Sequence, residues 1–550
     1  MTAPLPVPAG YICESSSTGG EFVSASTASV SAPTGPYDAN AKVVRALQRA
    51  RDQMFSDDYI PWQLHPFGTN FEPSMQAISN ATNITTIMVV QTAGDPARAP
   101  LVNEVDESYT LSMSMNGTIM ITAQSSFGCL NGLQTLTQLF YQHSAGPVYS
   151  PIAPVMVSDT PKFGHRGLNL DVARHWFPKQ DVIRTIDGLS YNKMNRLHLH
   201  ATDSQSWPLF IPAIPELAEK GAYAPGLFYT PEDLDQMLSY AEDRGIQLII
   251  ETDMPGHTNS IAYSHPELIV GSDEGDWQTY AAEPPSGQLK LNDSRVQPFL
   301  RTLLDDLLPR VGGYSQYYHT GGDEFNQNVY LLEADLMSNK TSVIQPLDAK
   351  IVEGLHAQLA EYNMTPIVWQ DQLLTWNVSL SKNTLVQAWI TQSAVKEVIQ
   401  RGYRVIAGVT NHWYLDCGAG QWITSIPQHE REFYPFLDYC DPVKNWRYMY
   451  SYDPISNLTA EEAKMVVGAE AHMWTEQTDP TNLDKRLWPR LAAAAEVMWS
   501  GRTFANGTNR TQLEATPRLE DFRERIVHRG IMAEPIQALW CSQRNGQCLQ

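Results

Sequence analysis

The 550-residue chain has no apolar run of the roughly 18 residues that a membrane span requires. Positive charge is scarce: 38 Lys and Arg stand against 60 Asp and Glu, a net charge of −22. No basic stripe is present anywhere, which argues against a nucleic-acid partner. The six cysteines never come in the C-x-x-C spacing of a zinc site. The opening residues, "MTAPLPVPAGY", have neither the basic nor the apolar region of a secretory leader.

Other features nevertheless point to secretion. Ten N-x-S/T sequons occur, at Asn80, Asn83, Asn116, Asn292, Asn339, Asn363, Asn377, Asn457, Asn506 and Asn509. That number, mostly beside turn-forming residues, predicts a secreted glycoprotein. The natural leader is therefore expected to have been removed, with Met1 as an expression start. Six cysteines allow 15 pairings. The short loops Cys417–Cys440 and Cys541–Cys548 are the natural ones. Cys13 and Cys129 then either form a third pair or leave Cys129 as a buried thiol in an apolar helical stretch.

Two rhythms divide the chain. Residues 14 to 36 are rich in Ser, Thr, Gly and Ala and read as loop. "DANAKVVRALQRARDQMF" has helical spacing, "NITTIMVVQT" reads as a strand, and "SYTLSMSMNGTIMITA" alternates about Asn116-Gly117 as a hairpin. "FGCLNGLQTLTQLFY" follows as an amphipathic helix, and a Pro-rich passage, "PVYSPIAPVMVSDTPKF", leads onward. Residues 1–158 are expected to form a small α/β domain. From residue 159 onward, eight short apolar runs alternate with helical segments: "GLNLDVARH", "RLHLHATD", "IQLIIETD", "YYHTGGDE", "PIVWQD", "TLVQAWI", "RVIAGVT" and "AEAHMWTE". This predicts a (β/α)8 TIM barrel over 159–550, with a C-terminal extension.

A barrel of this kind places its chemistry at the C-terminal strand ends. Nearly every run ends in, or runs on into, polar or aromatic residues: Asp171 and Arg174, His200 and Asp203, Asp253 and His257, Asp323 and Glu324, Trp369 and Asp371, Trp389, Tyr414 and Asp416, Trp474 and Glu476. The adjacent acids Asp323 and Glu324 follow two glycines, a sign of an unusual turn or close backbone approach. Trp369, Trp389 and Trp474 would stack on sugar faces while carboxylates and arginine bind hydroxyls. His198 and His200, two residues apart, share one strand face. With His257 they leave open a metal-dependent hydrolase, whereas the plainer reading is hydrogen-bonded structural histidines.

The motifs "GHRGLNLDVARHWFP", "LHLHATDSQSWPL", "ETDMPGHT", "HTGGDEF", "VWQD", "HWYLD" and "EAHMWTEQTDPTNLDKRLWPRLAAAAEVMW" run in this order over nearly the whole chain. In them the chain resembles glycoside hydrolase family 20, the β-N-acetylhexosaminidases, and most of all the secreted fungal members. The resemblance implies an exo-acting enzyme without metal, cofactor or enzyme nucleophile, and a homodimer. The 2-acetamido oxygen of the substrate would attack the anomeric carbon and give an oxazolinium intermediate, an exception to the two-carboxylate rule. Glu324 would be the general acid and then base, with its pKa raised. Asp323 would stay ionised and hold the acetamido N–H, and Tyr414 would aim the acetamido oxygen. Trp369, Trp389 and Trp474 would wall the sugar, Arg166 would bind O3 and O4, and Asp416 and Glu476 would take O6 and O4. Asp203 and His257 would orient and tune Glu324. Asp371 stands where many members have Glu, and its role stays open. Trp422, between Cys417 and Cys440, is expected either to stack on the next sugar or to pack its loop.

Overall fold

A computed structural model of the protein describes residues 21–25, 29–31 and 41–550; Cys13 lies outside them. Two small sheets come first. One has the strand order Thr82–Asn83, Glu21–Ala25, Val148–Ala153, Tyr141–Gln142. The other runs Ser29–Ser31, Thr86–Gln91, Thr118–Ala123, Tyr109–Met113, Val155–Asp159. The expected hairpin about Asn116 pairs Tyr109–Met113 with Thr118–Ala123. The helices Ala41–Ser56 and Ser126–Thr137 cover a common core that includes Val89, Leu111, Ile121 and Leu133. Cys129 is buried there as a free thiol.

Two expectations change. The segment 14–36, read as loop, carries the strands Glu21–Ala25 and Ser29–Ser31. Its Ser-rich composition hides them, because their pairing comes from distant partners rather than local propensity. The Pro-rich passage likewise holds two strands, one for each sheet, with Pro154 at the break between them. Val155 and Val157 alternate inward as a half-buried strand requires.

The rest of the chain is built on a closed, all-parallel barrel of eight strands. They are β1 (His165–Asp171), β2 (Arg196–His200), β3 (Gln247–Glu251), β4 (Tyr317–His319), β5 (Thr365–Trp369), β6 (Leu385–Ala388), β7 (Arg404–Ala407) and β8 (Val466–Met473), with β8 pairing β1. Leu168, Leu170, Leu197 and Leu199 belong to the core shared with the surrounding helices. The floor of the barrel is apolar, formed by Ile249, Tyr317, Ile367, Leu385, Ile406 and Val467. Val102 of the first domain joins that floor, and its N–H donates to the Tyr317 hydroxyl at 2.8 Å. Above it the interior is unusually polar for such a barrel, with His198, His200, Glu251, His319, Glu470 and His472 all buried.

Two buried cations bind the first domain to the barrel. Lys193 donates to Asp159 at 3.2 Å and to the Tyr109 hydroxyl at 2.9 Å. Arg166 makes a two-pronged pair with Glu107 and donates to the carbonyls of Lys193 and Phe163. Trp499 lies against both cations and donates to Asp159. An unpaired buried charge is far costlier than a missing pair, so Glu107→Ala should destabilise the protein by about 3–5 kcal/mol in urea unfolding. A change below about 1 kcal/mol would show that Arg166 finds water instead.

Candidate active site

The acid pair sits where β4 leaves the pleat. Gly321 and Gly322 have φ of 69° and 102°. A Cβ on Gly321 would fall 1.8 Å from Asp253 Oδ1, and one on Gly322 would fall 2.4 Å from Gln372 Cγ. The same Asp253 oxygen accepts the Gly322 N–H at 2.7 Å. Glu324 is itself left-handed, with φ of 50°. That turn breaks strand alternation, so both acids reach the same pocket. Asp323 is buried, whereas the Glu324 side chain is 39% exposed.

A chain of contacts runs back from Glu324. Its Oε2 lies 3.6 Å from His257 Nε2, and His257 Nδ1 lies 3.1 Å from Asp203 Oδ1. Asp203 Oδ2 meets His200 Nε2 and Arg174 Nη1, each at 2.8 Å. Burial opposes the Asp203 charge, but Arg174 and then His257 outweigh it and hold the carboxyl far below its ordinary value. Burial likewise opposes the His257 cation, and Asp203 reverses the balance and holds its pKa well above the ordinary value. Asp323 has a second carboxyl beside it. Burial, and then the neighbouring Asp253, push it well above the carboxylate range, and burial also raises Asp253. Two close buried carboxyls cannot both be charged cheaply, which is why Asp253 raises Asp323.

The pocket is a cavity of about 300 Å³ whose walls include Tyr414, Trp389, Trp474, Trp422, Tyr439 and Glu476. Burial, the largest influence on Tyr414, keeps it a phenol. Trp389 donates its indole N–H to Asp371 at 2.8 Å, which gives Asp371 a positioning role. Burial, opposed by that bond, pushes Asp371 up to about 6. Trp369 does not reach the cavity surface. It is fully buried beneath, donating to Glu251 at 2.7 Å, with its ring 6.0 Å from Trp474. Asp416 is also set back: the Tyr439 hydroxyl caps it at 2.9 Å, and burial raises it to about 7. Glu476 is pushed well above its ordinary value by burial and then by Glu283. The disulfides Cys417–Cys440 and Cys541–Cys548 are present, the first beneath the loop carrying Trp422, which is 38% exposed.

The structure corrects Arg166. It is the second residue of β1, at the end away from the mouth, and is spent on Glu107. Arg174, just beyond the other end of β1, lines the pocket instead, over the Trp474 ring at 5.0 Å. It donates to Glu283 at 2.9 and 2.7 Å. The position of Arg174 at a strand end was the available signal. Glu283 had none of that kind. It comes from the long excursion between β3 and the helix Val296–Val311, whose length alone marks it as functional.

His198 and His200 form a charged core with the buried carboxylates Glu251 and Glu470. His198 lies 3.0 Å from Glu251 and 3.2 Å from Glu470, and His200 lies 2.5 Å from Glu251. Burial opposes both cations, yet Glu251 and its neighbours raise them to about 9 and about 10. Their ring nitrogens are engaged by the buried carboxylates, as the hydrogen-bonded structural reading expects. Both pKa values exceed the unfolded value near 6.5. Their stabilisation is therefore complete below about pH 6.5 and is lost as pH climbs through 9 and 10. The unfolding temperature should fall by several degrees from pH 6.5 to 9.5, and Glu470→Gln should flatten that slope. An unchanged slope in the variant would contradict the assignment.

Comparison with known proteins gives this geometry a family. The description "Glycosyl hydrolase family 20, catalytic domain" matches residues 163–502, and "beta-acetyl hexosaminidase like" matches residues 4–139. A beta-hexosaminidase of Arthroderma benhamiae is 41% identical over 92% of this chain and 84% of its own length. A chitooligosaccharidolytic beta-N-acetylglucosaminidase of Ostrinia furnacalis is 30% identical over 81% of this chain and 75% of its own. The solved chitobiase of Flavobacterium johnsoniae is 26% identical, with a TM-score of 0.70 over 96% of this chain and 72% of that one. The barrel with its acid pair, and the small domain before it, thus belong together: the chain is a member of glycosyl hydrolase family 20, a β-hexosaminidase-type glycoside hydrolase.

Proposed function

We propose that the protein is an exo-acting β-N-acetylhexosaminidase that removes terminal non-reducing GlcNAc and GalNAc from chito-oligosaccharides or glycans, with retention of configuration. The observation that carries this reading is the division of labour within the acid pair. Glu324 is half-exposed and tied to His257, while Asp323 is buried beside Asp253 and lines the same cavity as Tyr414. In the first step the acetamido carbonyl oxygen attacks C1 as the C1–O glycosidic bond breaks. Glu324 gives its proton to the departing oxygen, and an oxazolinium forms. In the second step water attacks C1, Glu324 takes its proton, and the ring opens to restore the acetamide.

Asp323 accepts the acetamido N–H, and the arriving donor favours its anion at the stage when positive charge develops. Tyr414, a phenol held neutral, donates to the acetamido oxygen and directs its lone pair at C1. Trp389 and Trp474 wall the sugar, with Trp369 as the base beneath them. Arg174 takes the role expected of Arg166 and binds the outer hydroxyls with Glu476, while Asp416 serves O6. Arg174 with its flanking acids offers donors and acceptors around the C4 hydroxyl, which supports acceptance of both epimers. Trp422 stacks on the leaving sugar.

The proposal extends to a secreted glycoprotein, with residues 1–158 as a non-catalytic domain and 159–550 carrying the activity. Nine of the ten sequon asparagines are exposed, Asn339 being half-buried, and the disulfides suit an oxidising compartment. Glu324→Gln should abolish turnover of chitobiose while sugar binding survives. Asp323→Asn should lower kcat by about 10²–10³ through lost preorganisation. Near-normal turnover by Asp323→Asn would remove its role, and failure of the wild-type enzyme to cleave any chromogenic β-GlcNAc substrate would overturn the function.

A further inference from the structure

We propose that Glu251 is a positioning residue that couples the two halves of the site, holding the acid–base relay with one carboxylate oxygen and the base of the acetamido chamber with the other. The inference rests on the substrate-assisted reading above. Glu251 ends β3 and is fully buried, so it touches no sugar. Its Oε2 lies 2.5 Å from His200 Nδ1 and 3.0 Å from His198 Nε2. The other ring nitrogen of His200 meets Asp203, and the contacts continue through His257 to Glu324. Its Oε1 accepts the Trp369 indole N–H at 2.7 Å and lies 3.0 Å from His319 Nδ1. Trp369 in turn packs in one cluster with Tyr414 and Trp474, against Trp389.

A carboxylate can hold both sides because it has about four lone-pair sites and no donor. A carboxamide of the same shape cannot, since its NH2 must face either His200 or Trp369. The surrounding charges make this oxygen pair irreplaceable by a neighbour. His198 and His200 face it from β2, His319 and Tyr318 from β4, His472 from β8, and Asp253 from the segment after β3. The other carboxyls nearby are already engaged: Asp253 by Gly322, Asp203 by Arg174 and His257, and Glu470 by His165 and Gln387. His200 therefore depends on Glu251 to orient its proton toward Asp203, and Trp369 depends on it to keep its plane beneath the chamber. A mere counter-ion to the histidines would affect stability alone.

Glu251→Gln separates these possibilities through two readouts. Loss of the relay weakens proton delivery, which matters for a sugar leaving group and little for an activated nitrophenyl one. Chitobiose kcat/KM should fall about 100-fold more than nitrophenyl GlcNAc kcat/KM. Loosening of the chamber should also weaken a thiazoline mimic of the oxazolinium by about 10-fold. His200→Gln should reproduce the first effect. A folded Glu251→Gln enzyme that changes in neither readout, or that loses the same factor for both leaving groups with thiazoline binding intact, overturns the coupling. If the variant does not fold, 15N-labelled wild-type enzyme carries the test: the Trp369 indole and His200 imidazole signals should both shift on thiazoline binding, and a shift of Trp369 alone overturns it. Wild-type enzyme that neither cleaves chitobiose nor binds the thiazoline would instead overturn the functional reading.

Discussion

The hydrogen bond from Gly322 to Asp253 sets the terms for the whole mouth of the barrel. It draws the backbone after β4 so close to Asp253 that no side chain fits on Gly321. The chain must then pass through left-handed conformations, and Glu324 accepts one despite its Cβ. On a regular strand Asp323 and Glu324 would point to opposite faces. Here one reaches into the buried chamber and the other to the half-open rim. The same contact keeps Asp253 beside Asp323, whose pKa is raised by burial first and then by that neighbour.

Behind the turn, the barrel interior solves a problem of buried charge. Ions removed from water are costly unless paired and hydrogen-bonded. The carboxylates Asp203, Glu251 and Glu470 alternate with the imidazoles His257, His200, His198 and His165 along one connected path. An apolar floor seals this path from below, and the first domain contributes Val102 to that seal. Rigidity at the rim therefore comes from ion pairing in the interior. The small domain meets the barrel at the end away from the rim, where Glu107 and Asp159 pair with Arg166 and Lys193.

The barrel was legible because each of its strands is a short apolar run with a polar end. The acid pair, Tyr414 and the tryptophans were legible for the same reason, by their position at those ends. Arg166 misled because residue type and motif do not reveal which end of a strand a side chain occupies; Arg174, nine positions from the strand's start at His165, is on the correct side. Glu283 lies on a long loop with no periodicity, so its arrival in the pocket depends on tertiary contacts. The neighbour that raises Asp323 was hidden because Asp253, 70 residues earlier in the chain, is adjacent to it only in the fold. The short strands in the Ser-rich and Pro-rich segments were hidden for a related reason, as their partners are distant in sequence.

The central claim is that the substrate supplies the nucleophile, which Asp323 holds in place while Glu324 protonates the leaving oxygen. Its most direct test is the rate of cleavage across aryl glycosides whose N-acyl group is acetyl, fluoroacetyl, difluoroacetyl and trifluoroacetyl. Each fluorine makes the carbonyl oxygen a poorer nucleophile while changing its size little. The account predicts a steep, continuous fall in kcat along the series. Rates that stay level as the fluorines accumulate would contradict it and would require a nucleophile from the protein.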